Sequence, residues 1–345
     1  MSPPAGPRSA AAPAPSFATS FFRFFRFEYL SFAMILPLIG AAAASPQAPI
    51  PLLRLIGILA ATLAMHVHIN LMNDVCDLPF DRHHPGRQKY PLVRGVIKRW
   101  QVAAIATAAV PIAIAILFVL DGALPAYLAL LSMIVAIAIY NVWGKRFIFP
   151  IFTDVALGIG YASITLCGAL LIAPATRLTW FAVAWVVVWT LQINLLGGLR
   201  DLSFDRIAGA RTTPIVFGMR PYGAGLTIPR GLVVYAFIIE AGLYALSLSM
   251  LAFNDFYYTR LSRVLVGLGV TLLAIVNGFA LRFLLRLSQR DYKGMTKIGF
   301  IPIGVTFISI VVLLAPNPNR WPLIVVVMTY FIPLYKLYRS KKSRK

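Results

Sequence analysis

The chain has 345 residues, of which 59% are hydrophobic and only 12% charged, with a mean hydropathy of +0.80. Soluble domains carry about 25% charged residues, so the composition excludes a soluble globular protein and predicts a polytopic membrane protein. A net charge of +21 would suit nucleic acid, but the basic residues fall in alternate loops between apolar runs, a pattern of membrane orientation.

Residues 1–20, rich in Pro, Ala and Ser, are predicted to be disordered. They lack the short apolar core and cleavage site of a removable secretion signal, so the first span is expected to serve as its own insertion signal. Apolar stretches of about 18–25 residues read as spanning helices. They lie near 28–45, 53–74, 101–120, 123–143, 150–173, 179–199, 229–251, 262–284, 297–315 and 321–337. Together they form a single membrane domain over 21–338, followed by a basic tail over 339–345 suited to anionic lipid. Cys76 and Cys167 are too few for a disulfide framework.

Basic residues cluster from Arg82 to Arg99, at Lys145-Arg146, from Arg200 to Arg230 and from Arg282 to Lys297. The positive-inside rule places these loops in the cytoplasm or its topological equivalent, together with Arg23, Arg26 and the tail. Both ends inside requires an even number of spans, hence ten; nine would leave one segment re-entrant or peripheral. The longest connections, 75–100, 200–228 and 285–296, share this side, so function is expected there.

Five of the eleven acidic residues fall into two clusters, each ending an apolar run. The first is Asp74, Asp77 and Asp81; the second is Asp201 and Asp205. Carboxylates at a membrane edge are costly and mark function by default. Asn73, Asp77 and Asp81 are spaced i, i+4, i+8, and Asp201 and Asp205 are i, i+4, so each set shares one helical face. Asp74 lies off that face. Four spans separate the motifs, so both open to the same side, as two half-sites of an internally repeated fold would around a central cavity.

Like charges on one face repel unless a cation joins them. Carboxylate and amide oxygens suit Mg²⁺, which binds one or two carboxylates and fills its shell with phosphate oxygens and water. Arg82, Arg87, Lys89 and Arg94 follow the first cluster, Arg206 and Arg211 the second, and Lys145-Arg146 caps the fourth span with Tyr140 just before it. Arg and Lys bind phosphate strongly. Acids, metal and bases around an oily cavity predict a lipid diphosphate site. Its chemistry would be ionisation of an allylic carbon–oxygen bond, with the diphosphate stabilised as it leaves. Aromatic faces and a dry cavity would protect the carbocation.

The segment Asn73-Asp74-x-x-Asp77-x-x-x-Asp81, followed by Arg82, Pro85, Arg87 and Pro91, resembles the first signature of the UbiA-type intramembrane prenyltransferases. Arg200-Asp201-x-x-x-Asp205-Arg206-x-x-Gly209-x-Arg211-Thr212 resembles their second, closest to the naphthoate and quinone branch. Tyr140 through Lys145-Arg146 looks like the family's tyrosine-to-lysine segment. Where that branch often has Asn-Asn before its Arg-Asp, this chain has Gly197-Gly198, with Asn194 one turn earlier. The resemblance covers roughly residues 20–300. It implies an all-α fold of nine to ten transmembrane helices around a central cavity opening to the cytoplasmic side. It also implies Mg²⁺-dependent transfer of an isoprenyl group from its diphosphate to a lipophilic, usually aromatic acceptor. Carried over, Asn73, Asp77, Asp81, Asp201 and Asp205 would hold metal, while Arg87 and Lys145, joined by Arg94 and Arg211, would bind diphosphate.

Other polar residues carry plainer readings. Asn70 is expected to form a buried hydrogen bond. His66 and His68, two apart, cannot share one helical metal site and are read as packed or interhelical hydrogen-bonding histidines. His83-His84 is read as loop, with a role in acceptor deprotonation near Asp81 as the alternative. Asp154 is either a helix N-terminal acid or a residue near the acceptor. Glu240 lies mid-span without a motif, and Pro37 and Pro111 read as kinks. Two rivals share the composition. A membrane terpene cyclase would use the same metal–diphosphate chemistry, with the cation attacked by the substrate's own double bond. A secondary transporter predicts acids near span centres and broken helices, whereas these clusters lie at span ends beside basic loops.

Overall fold

The computed structural model describes residues 21–328, apart from Phe22, Pro46, Pro85, Gly86, Lys89, 254–257, Phe300, Ala315 and Val326. The expectations for 1–20 and for the basic tail, and most of the tenth predicted span, lie outside the described residues. The long helices are α1 (Leu30–Ala44), α2 (Leu52–Asp81), α3 (Arg99–Val119), α4 (Leu124–Trp143), α5 (Pro150–Leu170), α6 (Arg177–Ile207), α7 (Arg230–Phe253), α8 (Arg260–Arg290) and α9 (Ile301–Leu314). Among the described residues, α2 to α8 are each long and apolar enough to cross a membrane, while α1 and α9 are shorter apolar helices. The protein is thus a predominantly helical integral membrane protein. Helices dominate because each satisfies its own backbone polar groups where lipid offers no partner.

Helix starts follow local chemistry. Pro150 opens α5, where a missing N–H costs nothing. Thr176 caps α6 by accepting the Thr179 N–H at 3.1 Å, and Thr259 caps α8 by accepting the Ser262 N–H at 3.1 Å. The ends run further than the apolar patterns predict. α2 continues through the first acid motif to Asp81, α6 continues through the second to Ile207, and α8 reaches Arg290. The start of each expected loop at 75–100 and 200–228, and nearly all of 285–296, is therefore helix. Like charges at i, i+4 weaken a helix end, but Arg87 and Lys145 stand against these carboxylates as counter-charges.

Neighbouring helices pack in pairs: α2 on α3, α4 on α5, α5 on α6, α6 on α7 and α8 on α9, with α1 lying against α5. The α1–α5 approach is backbone to backbone. A Cβ on Gly40 would sit 1.8 Å from the Thr165 carbonyl oxygen, and one on Gly168 would sit 2.3 Å from that of Pro37. Small residues permit this closeness in membranes, where packing rather than hydrophobic expulsion drives association. Elsewhere Trp185 and Trp189 of α6, both fully buried, anchor an aromatic cluster with Phe32 of α1 and Phe307 of α9.

Glu240 finds its explanation in this packing. Gln192 of α6 donates to one of its oxygens, and Asn277 of α8 donates to the other at 2.6 Å. Thr306 of α9 closes the ring with a 3.1 Å contact to Asn277 and a 3.2 Å bond to Gln192. One polar side chain from each of four helices thus forms a seam through the apolar interior.

The end of the bundle that carries both acid motifs has a small cap. After α6 come a one-turn helix (Thr213–Val216) and a two-stranded antiparallel hairpin, β1 (Arg220–Tyr222) and β2 (Gly225–Thr227). Gly223 turns the hairpin with φ +57°. A Cβ on Gly225 would lie 2.0 Å from the Gln289 carbonyl oxygen, so the hairpin rests directly on the end of α8. A short helix, Tyr292–Ile298, begins there, and the Tyr292 hydroxyl donates to the Arg200 carbonyl.

Candidate active site

The last turns of α2 and α6 bring the two acid motifs to one end of the bundle, and the turn after α4 inserts Lys145 between them. Its Nζ lies 3.2 Å from Asp77 Oδ2 and 3.5 Å from Asp205 Oδ1. One ammonium therefore joins clusters that are 128 residues apart in sequence. Asp77, Asp81 and Asp205 are buried at 8%, 7% and 6% exposure. Burial works against the Lys145 charge, but the carboxylates of Asp77 and Asp205 outweigh it and raise its pKa above the ordinary lysine value.

Each remaining acid has a basic neighbour. Arg87 Nε lies 3.8 Å from Asp81 Oδ1. Asp201 accepts a two-pronged contact from Arg200, with Nε and Nη2 each at 2.8 Å, and His84 Nε2 approaches it at 3.6 Å. The His84 ring packs on Phe204, 4.3 Å between centroids. Asn73 donates to Asp77 at 3.4 Å and to Asn141 of α4 at 3.3 Å. Phe80 lies beneath both Lys145 and Arg146, with cation-to-centroid distances of 5.5 and 5.1 Å. Arg211 is exposed, but its backbone N–H bonds the Lys145 carbonyl at 2.8 Å, which ties the segment after the second motif to the lysine turn. Tyr140 lies one helical turn before Lys145, among the charges of Asp154, Asp77 and Asp205.

Several predicted residues stand apart from this group. Asp74 is engaged in a buried ion pair with Arg26, which holds the segment before α1 against α2, at the edge of the site and within electrostatic reach of Arg87 and Asp81. Arg26 also lies 5.8 Å from the Tyr90 ring centroid, and Arg87 lies 5.1 Å from it. Asn70 bonds back to His66 within α2. Arg94 is exposed on the following turn. Asn194 donates to Asp154 at 3.0 Å, and Thr213 donates to the other Asp154 oxygen, so these three form a second polar cluster that Tyr140 adjoins. Arg26, Phe80, Asn141 and Arg200 carry contacts at or beside the site that pattern reading left without roles. Asn141 and Arg200 had a signal: one is a polar residue ending an apolar run, the other directly precedes Asp201.

Among the described residues, no three Asp, Glu, His or Cys side chains converge as a ready-made metal cage. The donor set nonetheless fits a hard cation. It consists of carboxylate and amide oxygens in two opposed groups, with basic side chains on every side. A metal that takes only one or two carboxylates and completes its shell with phosphate oxygens suits such a divided arrangement.

Residues 33–293 match the UbiA prenyltransferase family. The chain is 26% identical over 203 residues to a 4-hydroxybenzoate octaprenyltransferase of Cupriavidus metallidurans, a match covering 59% of this chain and 65% of that protein. A 4-hydroxybenzoate octaprenyltransferase of Burkholderia mallei is 30% identical over 51% of this chain and 59% of its own length. The chain thus spans less than two thirds of the length of these curated relatives. A UbiA homolog from Archaeoglobus fulgidus, solved with DMAPP and Mg²⁺, superposes with a TM-score of 0.62 at 15% identity, covering 84% of this chain and 99% of that one. A UbiA homolog from Aeropyrum pernix superposes with a TM-score of 0.59 at 23% identity, covering 83% and 98%. Both share the fold. On the family match and the paired motifs together, the chain belongs to the UbiA prenyltransferase family.

Proposed function

We propose that this protein transfers an isoprenyl group from an allylic diphosphate to a lipophilic, aromatic or quinone-precursor acceptor, releasing diphosphate. The observation that carries this reading is Lys145, which holds Asp77 and Asp205 together at 3.2 and 3.5 Å. An ammonium bridging two buried acids from opposite halves of the bundle marks where metal and diphosphate would meet. The relatives' names, with 4-hydroxybenzoate as acceptor, support the aromatic class.

Asn73, Asp77, Asp81, Asp201 and Asp205 would hold Mg²⁺, which would supply neutralisation of the charge on the leaving diphosphate. Lys145 and Arg87 donate to its oxygens from fixed positions, with Arg211 and Arg94 extending the basic rim. As the allylic C–O bond breaks, its electron pair leaves with the bridging oxygen and positive charge spreads over the allyl group. Tyr140 and the apolar helix faces below exclude water from that cation. An acceptor ring carbon then forms the new C–C bond, and loss of its proton restores the aromatic ring. The basic residues gathered at this end support a cytoplasmic-facing site by the positive-inside rule.

The test is diphosphate release from geranyl diphosphate with Mg²⁺, with and without 4-hydroxybenzoate. Release of a prenylated acceptor supports the transferase. A cyclic hydrocarbon formed without acceptor would instead establish the terpene cyclase.

A further inference from the structure

The seam around Glu240 borders a small cavity between α6, α7, α8 and α9. Its volume is about 20 Å³, and a single water needs about 10–15 Å³. The cavity therefore has room for one water-sized occupant and nothing larger. It is remote from the acid clamp: Gln192 precedes Asp201 by nine residues on α6, which places the seam about 14 Å further down the bundle.

Its polar lining is Glu240, Ser247 and Tyr244 of α7, Asn277 of α8, and Thr306 and Ser309 of α9. The protons of these groups are spent elsewhere. Ser247 donates to the Leu243 carbonyl at 2.8 Å, Ser309 to that of Val305 at 3.1 Å, and Thr306 to that of Pro302 at 2.9 Å. Thr271 gives its proton to the Gly267 carbonyl at 2.8 Å, so the Tyr244 hydroxyl donates to Thr271 at 3.0 Å. The Asn277 amide nitrogen serves Glu240 at 2.6 Å and Thr306 at 3.1 Å. What these residues have left to offer is oxygen lone pairs. Asn277 Oδ1 is the clearest case: it is buried with no hydrogen-bond partner, in a residue only 4% exposed. An acceptor buried without a donor is costly.

Charge points the same way. Among the described residues no basic side chain pairs with Glu240. Gln192 donates to one of its oxygens and Asn277 to the other, an arrangement that suits the carboxylate, which only accepts. A carboxylate in an apolar interior needs a counter-charge.

We propose that this cavity binds one alkali-metal cation, Na⁺ or K⁺, with Glu240 supplying the balancing charge and Asn277 Oδ1 and the neighbouring hydroxyl oxygens completing its shell. Oxygen donors suit a hard cation. One positive charge matches one carboxylate, whereas Mg²⁺ would leave an excess charge in the bundle and gives up its waters reluctantly. A water would serve the lone pairs but leave the carboxylate unbalanced. The ion ties α7, α8 and α9 together, and the inference stands independently of the prenyltransferase reading.

The experiment follows the thermal midpoint of the full chain in detergent, at saturating Mg²⁺, as choline chloride is replaced by NaCl or by KCl at constant ionic strength. One or both salts are expected to raise the midpoint saturably by about 2–4 °C. The rise should vanish in Glu240→Gln, which keeps the shape of the side chain and removes its charge. No rise in either salt, or the same rise in Glu240→Gln, overturns the inference. A second measurement needs no variant: equilibrium dialysis of the wild-type chain against labelled Na⁺ or labelled K⁺. It is expected to find one ion per chain, undiminished by added Mg²⁺. A cavity that holds only water would bind neither ion, and that result overturns the inference.

Discussion

Replacing Lys145 with Met removes a cation shared by the two acid motifs. At an effective dielectric constant of 20, contacts of 3.2 and 3.5 Å are each worth about 5 kcal/mol in gross attraction. Desolvating the three charges offsets much of this. Breaking a buried pair from one side still costs about 3–5 kcal/mol, because the remaining carboxylates stay buried without a counter-charge. The side chain is 22% exposed, and the two acids 12% and 8%, so water screens the loss only in part. In catalysis, one fixed donor to a developing anion is worth about 10²–10³ in rate. Lys145→Met is therefore expected to lower kcat/KM for diphosphate release by that factor at saturating Mg²⁺, and to lower the thermal midpoint in detergent. Wild-type rate and midpoint together would refute the reasoning, since the ammonium would then be a bystander at both acids.

The Lys145 pKa is raised above 10.5 because Asp77 and Asp205 outweigh the opposing effect of burial. A raised folded-state pKa adds stability that is complete below the unfolded value and is lost as pH rises through the folded value. The difference in thermal midpoint between wild type and Lys145→Met should thus stay constant from about pH 7 to 9 and shrink only above the ordinary lysine range. Asp74→Ala should destabilise by about 3–5 kcal/mol by stranding Arg26, while the double variant Arg26→Ala, Asp74→Ala recovers part of the loss. Thermal unfolding of the three variants checks this, and the Mg²⁺ dependence of diphosphate release should match wild type in those that fold. Gly40→Ala places a Cβ 1.8 Å from the Thr165 carbonyl oxygen. It should cost about 1–3 kcal/mol by prising α1 from α5, read as a lowered midpoint.

The helical membrane fold was legible because long apolar runs have few alternatives in lipid. The acid clamp was legible for a different reason: Asn73, Asp77 and Asp81, like Asp201 and Asp205, repeat at helical spacing at the ends of matching spans. Pattern reading stopped where structure depends on partners distant in sequence. Asp74 carries the same charge as Asp77, and its orientation toward Arg26 follows from how the segment before α1 packs. Glu240 had no local motif because its partners Gln192, Asn277 and Thr306 lie on three other helices. The hairpin at 220–227 was hidden in what read as a basic loop, since its pairing is only three residues per strand and its support comes from the end of α8.

The central claim is that Asp77 and Asp205, from opposite halves of the bundle, act on one metal-bound diphosphate. The most direct measurement is diphosphate release from geranyl diphosphate, titrated with Mg²⁺, in wild type, Asp77→Ala and Asp205→Ala, with 4-hydroxybenzoate as acceptor. The account predicts Mg²⁺-dependent release in wild type and its loss in each single variant, with no further loss in the double. Release that persists at the wild-type rate in either single variant would contradict it.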